Sequence, residues 1–255
     1  MSGISVVIIT LNEERNIARC IQSVKAIADE VLVVDSHSTD LTCQVAEGLG
    51  ARLIKQEWLG YSATKNFANS HARFDHILSL DADEALSDTL RESIMAVKET
   101  WLADGYTMNR LTNYCGHWIK HCGWYPDPKL RLFNKSKASW TGEKIHESIV
   151  LDNGAASLHL KGDILHYSYY SLAEHINQAE RFTDLAALKA YEAGKNSSSL
   201  KIVLAPKVKF IRDYFFKRGF LDGFYGYTVC RLSAHATWLK YSKLRQLNLA
   251  NPKSQ

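Results

Sequence analysis

The sequence predicts an α/β fold: a mostly parallel sheet with helices on both faces, followed by a helical, basic and aromatic C-terminal extension. Three observations predict it. Short β-branched runs alternate with amphipathic stretches through the first hundred residues. After about residue 105 that rhythm breaks into strand-like pieces rich in aromatic residues. From residue 200 onward, eleven Lys and Arg stand against only Asp213 and Asp222. The formal net charge of +4 therefore divides into +9 for the tail and −5 for the body, an asymmetry that points to an anionic partner surface.

The elements follow in order. Ile4–Ile9 is an unbroken apolar and β-branched run, the pattern of a strand buried on both faces. Asn12 is placed to cap the next helix, in which Ile17, Cys20, Ile21 and Val24 recur at helical spacing. Val31–Val34 forms a second strand ending at Asp35. Thr39 or Asp40 then opens a helix with Leu41, Val45, Ala46 and Leu49 inward, closed by Gly50. Ala51–Ile54 is a third strand, a helix runs around 62–72, His76–Leu80 is a fourth strand, and Ser87 opens a helix to about Thr100. Residues 106–170 read as an antiparallel or mixed extension of the sheet. Residues 172–193 read as a helix with Leu172, Ile176, Ala179, Phe182, Ala186 and Leu188 on or near one face, and 194–199 (Gly-Lys-Asn-Ser-Ser-Ser) as a linker.

Composition narrows the class. With 255 residues, 46% hydrophobic and 23% charged, the chain can bury a core and is neither disordered nor fibrous. Its apolar runs fall short of the about 18 residues that span a bilayer. The N-terminal stretch lacks the basic start of a signal peptide. Five cysteines without a C-x-x-C pair point to a reducing cytoplasm.

A parallel sheet presents ligands at the carboxyl ends of its strands, and the polar clusters lie there. Ser79-Leu80-Asp81-Ala82-Asp83-Glu84 places three carboxylates within four residues of a strand end. Their repulsion is relieved by a hard cation, Mg²⁺ or Mn²⁺; the alternative is a solvated acidic turn before the helix at Ser87. Asp35 heads Ser36-His37-Ser38-Thr39-Asp40, whose hydroxyls can cap the next helix while Asp35 accepts from a ribose or base edge. Thr10-Leu11-Asn12-Glu13-Glu14 lies on the same rim.

These three blocks, Ile8–Glu14, Val33–Asp40 and Leu80–Glu84, resemble family-2 glycosyltransferases of the GT-A fold, a Rossmann-like architecture. Trp118–Asp127, Leu130–Phe133, His146-Glu147, Arg218–Gly223 and Leu239–Tyr241 resemble the subgroup that builds bacterial lipopolysaccharide core. The resemblance implies a domain over 1–199, with a nucleotide-binding half of about 1–105 and an acceptor-binding half of about 106–199, and a membrane-associating extension over 200–255. It implies a metal-dependent, inverting hexosyltransferase that moves a hexose, glucose first, from a UDP-sugar to a lipopolysaccharide core or other lipid-linked acceptor. The implied place is the cytoplasmic face of the bacterial inner membrane.

Position by position, the resemblance assigns Thr10, Asn12, Glu13 and Asp35 to base and ribose, Asp81 to the ribose or metal side, and Asp83 to the metal, with Ala82 between them on the donor. Lys65 lies where a basic residue faces the donor; a solvated helix lysine is the alternative. Glu147 is the favoured base for the acceptor hydroxyl, Glu143 the second choice and Asp127 the third. His166 resembles a late metal-ligating histidine, against a satisfied buried one. Arg131 binds phosphate or makes a structural ion pair.

Cys115, His117, His121 and Cys122 lie too close together to wrap one tetrahedral zinc. Tyr114, Trp118, Trp124 and Tyr125 suit an acceptor-sugar platform or ordinary packing. The absence of G-x-G-x-x-G after the first strand disfavours a nicotinamide cofactor. The tail lacks a nucleic-acid-binding motif; its interleaved basic and large apolar residues suit a lipid interface or a helix packed on the body. A haloacid-dehalogenase-type phosphatase and a catalytically silent membrane adaptor are the competing functions. The phosphatase would need a nucleophile where Thr10 stands and a Thr where Glu84 stands.

Overall fold

The structure, a computed structural model, describes residues 3–142 and 147–250. The chain forms two compact units, one of Met1–Leu111 with Asp127–Tyr167 and one of Thr112–Pro126 with Ser168–Gln255.

In the first unit, β1 (Ile4–Thr10), β2 (Glu30–Asp35), β3 (Arg52–Lys55) and β4 (His76–Asp81) are parallel in the order β3-β2-β1-β4. Helices α1 (Ile17–Val24), α2 (Thr42–Gly48), α3 (Tyr61–Ser70) and α4 (Asp88–Glu99) alternate with them. Successive strand residues point to opposite faces, so the β-branched runs feed two cores. Ile4, Val6 and Ile8 pack with Ile17, Cys20 and Ile21 of α1 and with Leu90 and Ile94 of α4. On the other face Val7, Leu32, Val34 and Ile77 meet Ala68 of α3. Beyond β4 the sheet turns antiparallel through β8 (Pro128–Asn134) and β6 (Gly105–Tyr114), then continues to β11 (Ser157–Tyr169) and the short β5 (Glu84–Leu86). A separate hairpin joins β9 (Ala138–Thr141) to β10 (Ser148–Leu151). The mixed extension expected after residue 105 is present.

In the second unit, β7 (His117–Ile119) pairs with the end of β6, and three helices follow: α5 (Leu172–Glu192), α6 (Ser199–Ile211) and α7 (Gly223–Ala250). A π-helical turn over Arg212–Phe216 and a 3₁₀ turn over Gly219–Asp222 connect the last two. Tyr114, Ile119, Cys122, Val229 and Cys230 form its core. No helix among the described residues is long and apolar enough to cross a membrane.

Three sequence expectations need correction. Asn12 caps nothing: α1 starts later, at Ile17, without a side-chain cap, because the Asn12 amide oxygen accepts from Thr39 N at 2.8 Å in the neighbouring loop. Leu41, expected inward with Val45, Ala46 and Leu49, is exposed, because α2 starts only at Thr42. On α5, Leu172, Ile176, Phe182 and Leu188 are exposed, and the helix buries His175, Thr183 and Ala187. Residues 194–199 are not a free linker. Buried Ser197 donates its N–H to Asn248 and accepts at its carbonyl from Arg245, while Ser198 caps α6.

Candidate active site

Three parallel strands end on one rim. Their register sets Thr10 of β1 beside Asp35 of β2, and Ile9 beside Asp81 of β4, so Thr10, Asp35 and Asp81 line the carboxyl edge. The β1–α1 and β2–α2 loops are laced together above them. Asn12, in the left-handed region at φ 55, donates its N–H to Ser38 Oγ at 2.8 Å. Glu13 N donates to Thr42 Oγ1 at 2.7 Å. Asp35 is fully buried and accepts from Ser38 N at 2.8 Å and from the Ser38 hydroxyl, while Asp40, accepting from Thr42 N at 3.0 Å, holds the start of α2. The hydroxyl oxygens of Thr10 and Ser36 are buried without a hydrogen-bond partner among the described residues. Unsatisfied buried polar atoms are uncommon, and on a strand-end rim they mark where a polar ligand would complete the bonding.

The three acids after β4 have separate surroundings. Glu84 is 1% exposed and accepts from Arg131 at 2.9 Å and from Asp81 N at 3.0 Å, with Arg110 at 3.8 Å. Burial pushes its carboxyl up; Arg131 opposes this and Asp81 adds to it. Asp81 meets Lys65 at 2.9 Å and Arg131 at 3.0 Å. Burial works against its charge, yet these two cations hold it far below the usual carboxylate range. Asp83 Oδ2 lies 3.1 Å from His166 Nε2, because β11 pairs with β5 and sets His166 opposite Glu84. Burial lowers the His166 pKa, but Asp83 outweighs it and the net shift is upward. A solvated acidic turn does not describe this cluster; Ser87 alone caps α4, accepting from Leu90 N.

Asp83 and His166 suit a divalent cation. Their oxygen and nitrogen converge, and the other ring nitrogen of His166 is buried with no partner among the described residues. Among the described residues no group of three or more His, Cys, Asp or Glu is gathered to hold a metal. The chain would thus supply two ligands and leave the rest to phosphate oxygens and water, the usual arrangement for Mg²⁺ at nucleotides.

The remaining candidates fall around this cluster. Lys65 is 2% exposed and not a solvated lysine: besides Asp81 it lies 3.8 Å from Glu147 and 4.2 Å over the Trp140 ring. Glu147 is thereby brought to the acids through a shared cation. Arg131 is held in the ion pair rather than free for phosphate. Asp127 is occupied by Arg110 at 3.0 Å and Lys129 at 2.8 Å. Ala82 has its side chain in the core, so only its backbone could meet a donor. Burial raises the Glu13 carboxyl, Asn16 opposes this, and Asp83 adds to it. Glu143 and His146 lie outside the described residues. Tyr114 is no platform; it is buried against Trp124, Tyr169 and His175. Sequence reasoning passed over Trp140 and Arg110, and treated Glu84 only as a third charge. An aromatic beside the His-Glu block was the one local signal.

The segment that builds this rim matches a family model: Glycosyl transferase family 2 covers residues 5–149, from β1 to Glu147 and β10. An uncharacterized glycosyltransferase of Rickettsia typhi is 35% identical over 98% of this chain and 89% of its own length. This chain belongs to glycosyl transferase family 2. The phosphatase and the silent adaptor give way to a transferase of the GT-A fold, with parallel β3-β2-β1-β4 at its core. Another relative of this family-2 enzyme, the lipopolysaccharide core biosynthesis glycosyltransferase LpsC of Rhizobium meliloti, is 28% identical over 95% of this chain and 92% of its own. Among solved structures, glucosyl-3-phosphoglycerate synthase of Mycobacterium tuberculosis, in complex with Mn²⁺, UDP and glucosyl-3-phosphoglycerate, is 23% identical. It covers 44% of each chain at a TM-score of 0.37, a likeness too slight to carry a donor or a metal to this chain.

Proposed function

We propose that this family-2 glycosyltransferase moves a hexose, glucose first, from a UDP-sugar to a lipopolysaccharide core or other lipid-linked saccharide, with inversion. The observation that carries the reading is the alignment of Thr10, Asp35 and Asp81 on one rim with Asp83 and His166 beside it. Thr10, Asn12, Glu13 and Asp35 receive base and ribose, with the unpartnered Thr10 hydroxyl available to the nucleotide. Asp83 and His166 would hold Mg²⁺ or Mn²⁺, which when bound would supply neutralisation of the charge on the diphosphate.

Glu147 accepts the proton of the acceptor hydroxyl as that oxygen bonds to the anomeric carbon and the bond to the diphosphate oxygen breaks. Lys65, between Asp81 and Glu147, orients Glu147 for this step. LpsC, by its name an enzyme of lipopolysaccharide core biosynthesis, supports the acceptor class. The basic tail supports a peripheral seat on the cytoplasmic face of a bacterial inner membrane. The test is incubation of the full chain with UDP-hexoses, Mn²⁺ and truncated lipopolysaccharide, read by mass spectrometry. Gain of one hexose from UDP-glucose is expected; no transfer from any UDP-hexose contradicts the proposal.

A further inference from the structure

Helix α6 has no buried residue, although its sequence, SLKIVLAPKVKFI, is mostly apolar. Leu200, Leu204, Val208 and Ile211 recur at helical spacing on one face, and Leu200 and Val208 are 67% and 63% exposed. Beside this stripe a groove of about 600 Å³ runs between α6 and α7, lined by Leu200, Leu204, Val208, Lys201, Lys240 and Tyr241, among others. Lys201 and Lys240 converge on the Tyr241 ring, their ammonium nitrogens 4.8 and 4.4 Å from its centroid. Neither has a carboxylate partner among the described residues, whereas Lys209 and Arg212, on the same groove, are paired with Asp213. The two acids between Ser199 and Ala250, Asp213 and Asp222, are both buried.

From this geometry we infer that the α6–α7 groove is a seat for one anionic phospholipid. The headgroup phosphate lies between Lys201 and Lys240, and an acyl chain lies along Leu200, Leu204 and Val208. The inference rests on the membrane seat proposed above and names the residues that make it. An aliphatic stripe bordered by two unneutralised cations matches a ligand that is apolar at one end and anionic at the other. A second copy of the chain matches poorly, because a two-fold contact would set this cationic face against itself. Exposed Phe215, Phe216 and Phe224 follow α6 in the chain and would enter the same interface.

The test is flotation of the full chain with phosphatidylcholine vesicles, with and without phosphatidylglycerol. It compares the wild type, the double variant Lys201→Glu/Lys240→Glu, the double variant Leu204→Glu/Val208→Glu, and Lys25→Glu as a control on the other unit. Thermal melting checks that each variant folds. The wild type and Lys25→Glu are expected to float with phosphatidylglycerol vesicles, and each double variant to lose roughly tenfold or more of its binding. Inorganic phosphate should not compete. Flotation of both double variants like the wild type overturns the seat and leaves the membrane reading standing. No flotation of the wild type overturns both. Loss of a wild-type dimer in the Leu204→Glu/Val208→Glu variant, with flotation unchanged, overturns the seat in favour of a second copy.

Discussion

Lys65 occupies a position that few lysines do: buried, its ammonium over the Trp140 ring and between two carboxylates. A buried ammonium is tolerated only where its charge is met, and Asp81 meets it at 2.9 Å. Lys65→Met keeps an unbranched apolar stem but leaves Asp81 to Arg131 alone. A loss of about 3 kcal/mol in urea unfolding is expected, because a charge partner is removed from a part-buried cluster. Glu147→Gln keeps the shape of the side chain and cannot take a proton. Turnover should fall about 10²-fold or more with donor affinity nearly unchanged, as measured by steady-state kinetics beside UDP titration. If Asp127→Gln gives that phenotype and Glu147→Gln does not, the base is misassigned.

α5 contributes a buried histidine to the second unit, and with it an acid sensitivity. His175 Nδ1 lies 3.0 Å from the Tyr114 hydroxyl, and burial lowers its pKa from 6.5 to about 4. Between those values the unfolded chain binds a proton that the folded chain refuses. His175 therefore costs no stability above about pH 6.5 and progressively more as pH falls toward 4, reaching about 3 kcal/mol. His175→Phe should melt slightly lower than the wild type at neutral pH and lose less on acidification. Parallel acid loss in both proteins would place the sensitivity elsewhere. The 3₁₀ turn over Gly219–Asp222 gives a second element-level expectation. A Cβ at Gly226 would lie 1.9 Å from the Gly219 carbonyl oxygen, so Gly226→Ala must displace α7 from that turn. A stability loss of about 3 kcal/mol is expected in denaturant titration.

Legibility followed the range of the interactions. β1, β2 and β4 were readable because a strand buried on both faces needs an unbroken apolar run, and the rim acids followed from where those runs stop. The burial of Glu84 by Arg131 depends on strand order beyond β4, and the meeting of Lys65 with Trp140 on the packing of the β9 hairpin against α3, neither of which a local pattern encodes. The exposure of Leu172, Ile176, Phe182 and Leu188 on α5 was not legible either, since helical spacing reports an apolar face but not whether anything covers it.

Taken whole, the chain separates its chemistry from its charge. The acids that line the rim belong to a body of net −5, and the +9 tail keeps its two acids buried. Vesicle binding through that tail should weaken, without vanishing, as salt rises, since ions screen the cations over a Debye length of about 10 Å at 0.1 M and leave the apolar contacts intact. A salt-independent bound fraction in flotation would assign binding to the apolar residues alone. The rim itself is tested most directly by calorimetric titration of UDP into the full chain, in Mn²⁺ and in EDTA, with Asp83→Ala alongside. Asp83 is part-exposed and belongs to neither core cluster of its unit, so the variant should fold. Binding in Mn²⁺ is expected to weaken roughly tenfold or more both in EDTA and in Asp83→Ala. Equal affinity in all three titrations would contradict a metal-assisted nucleotide site at Asp83.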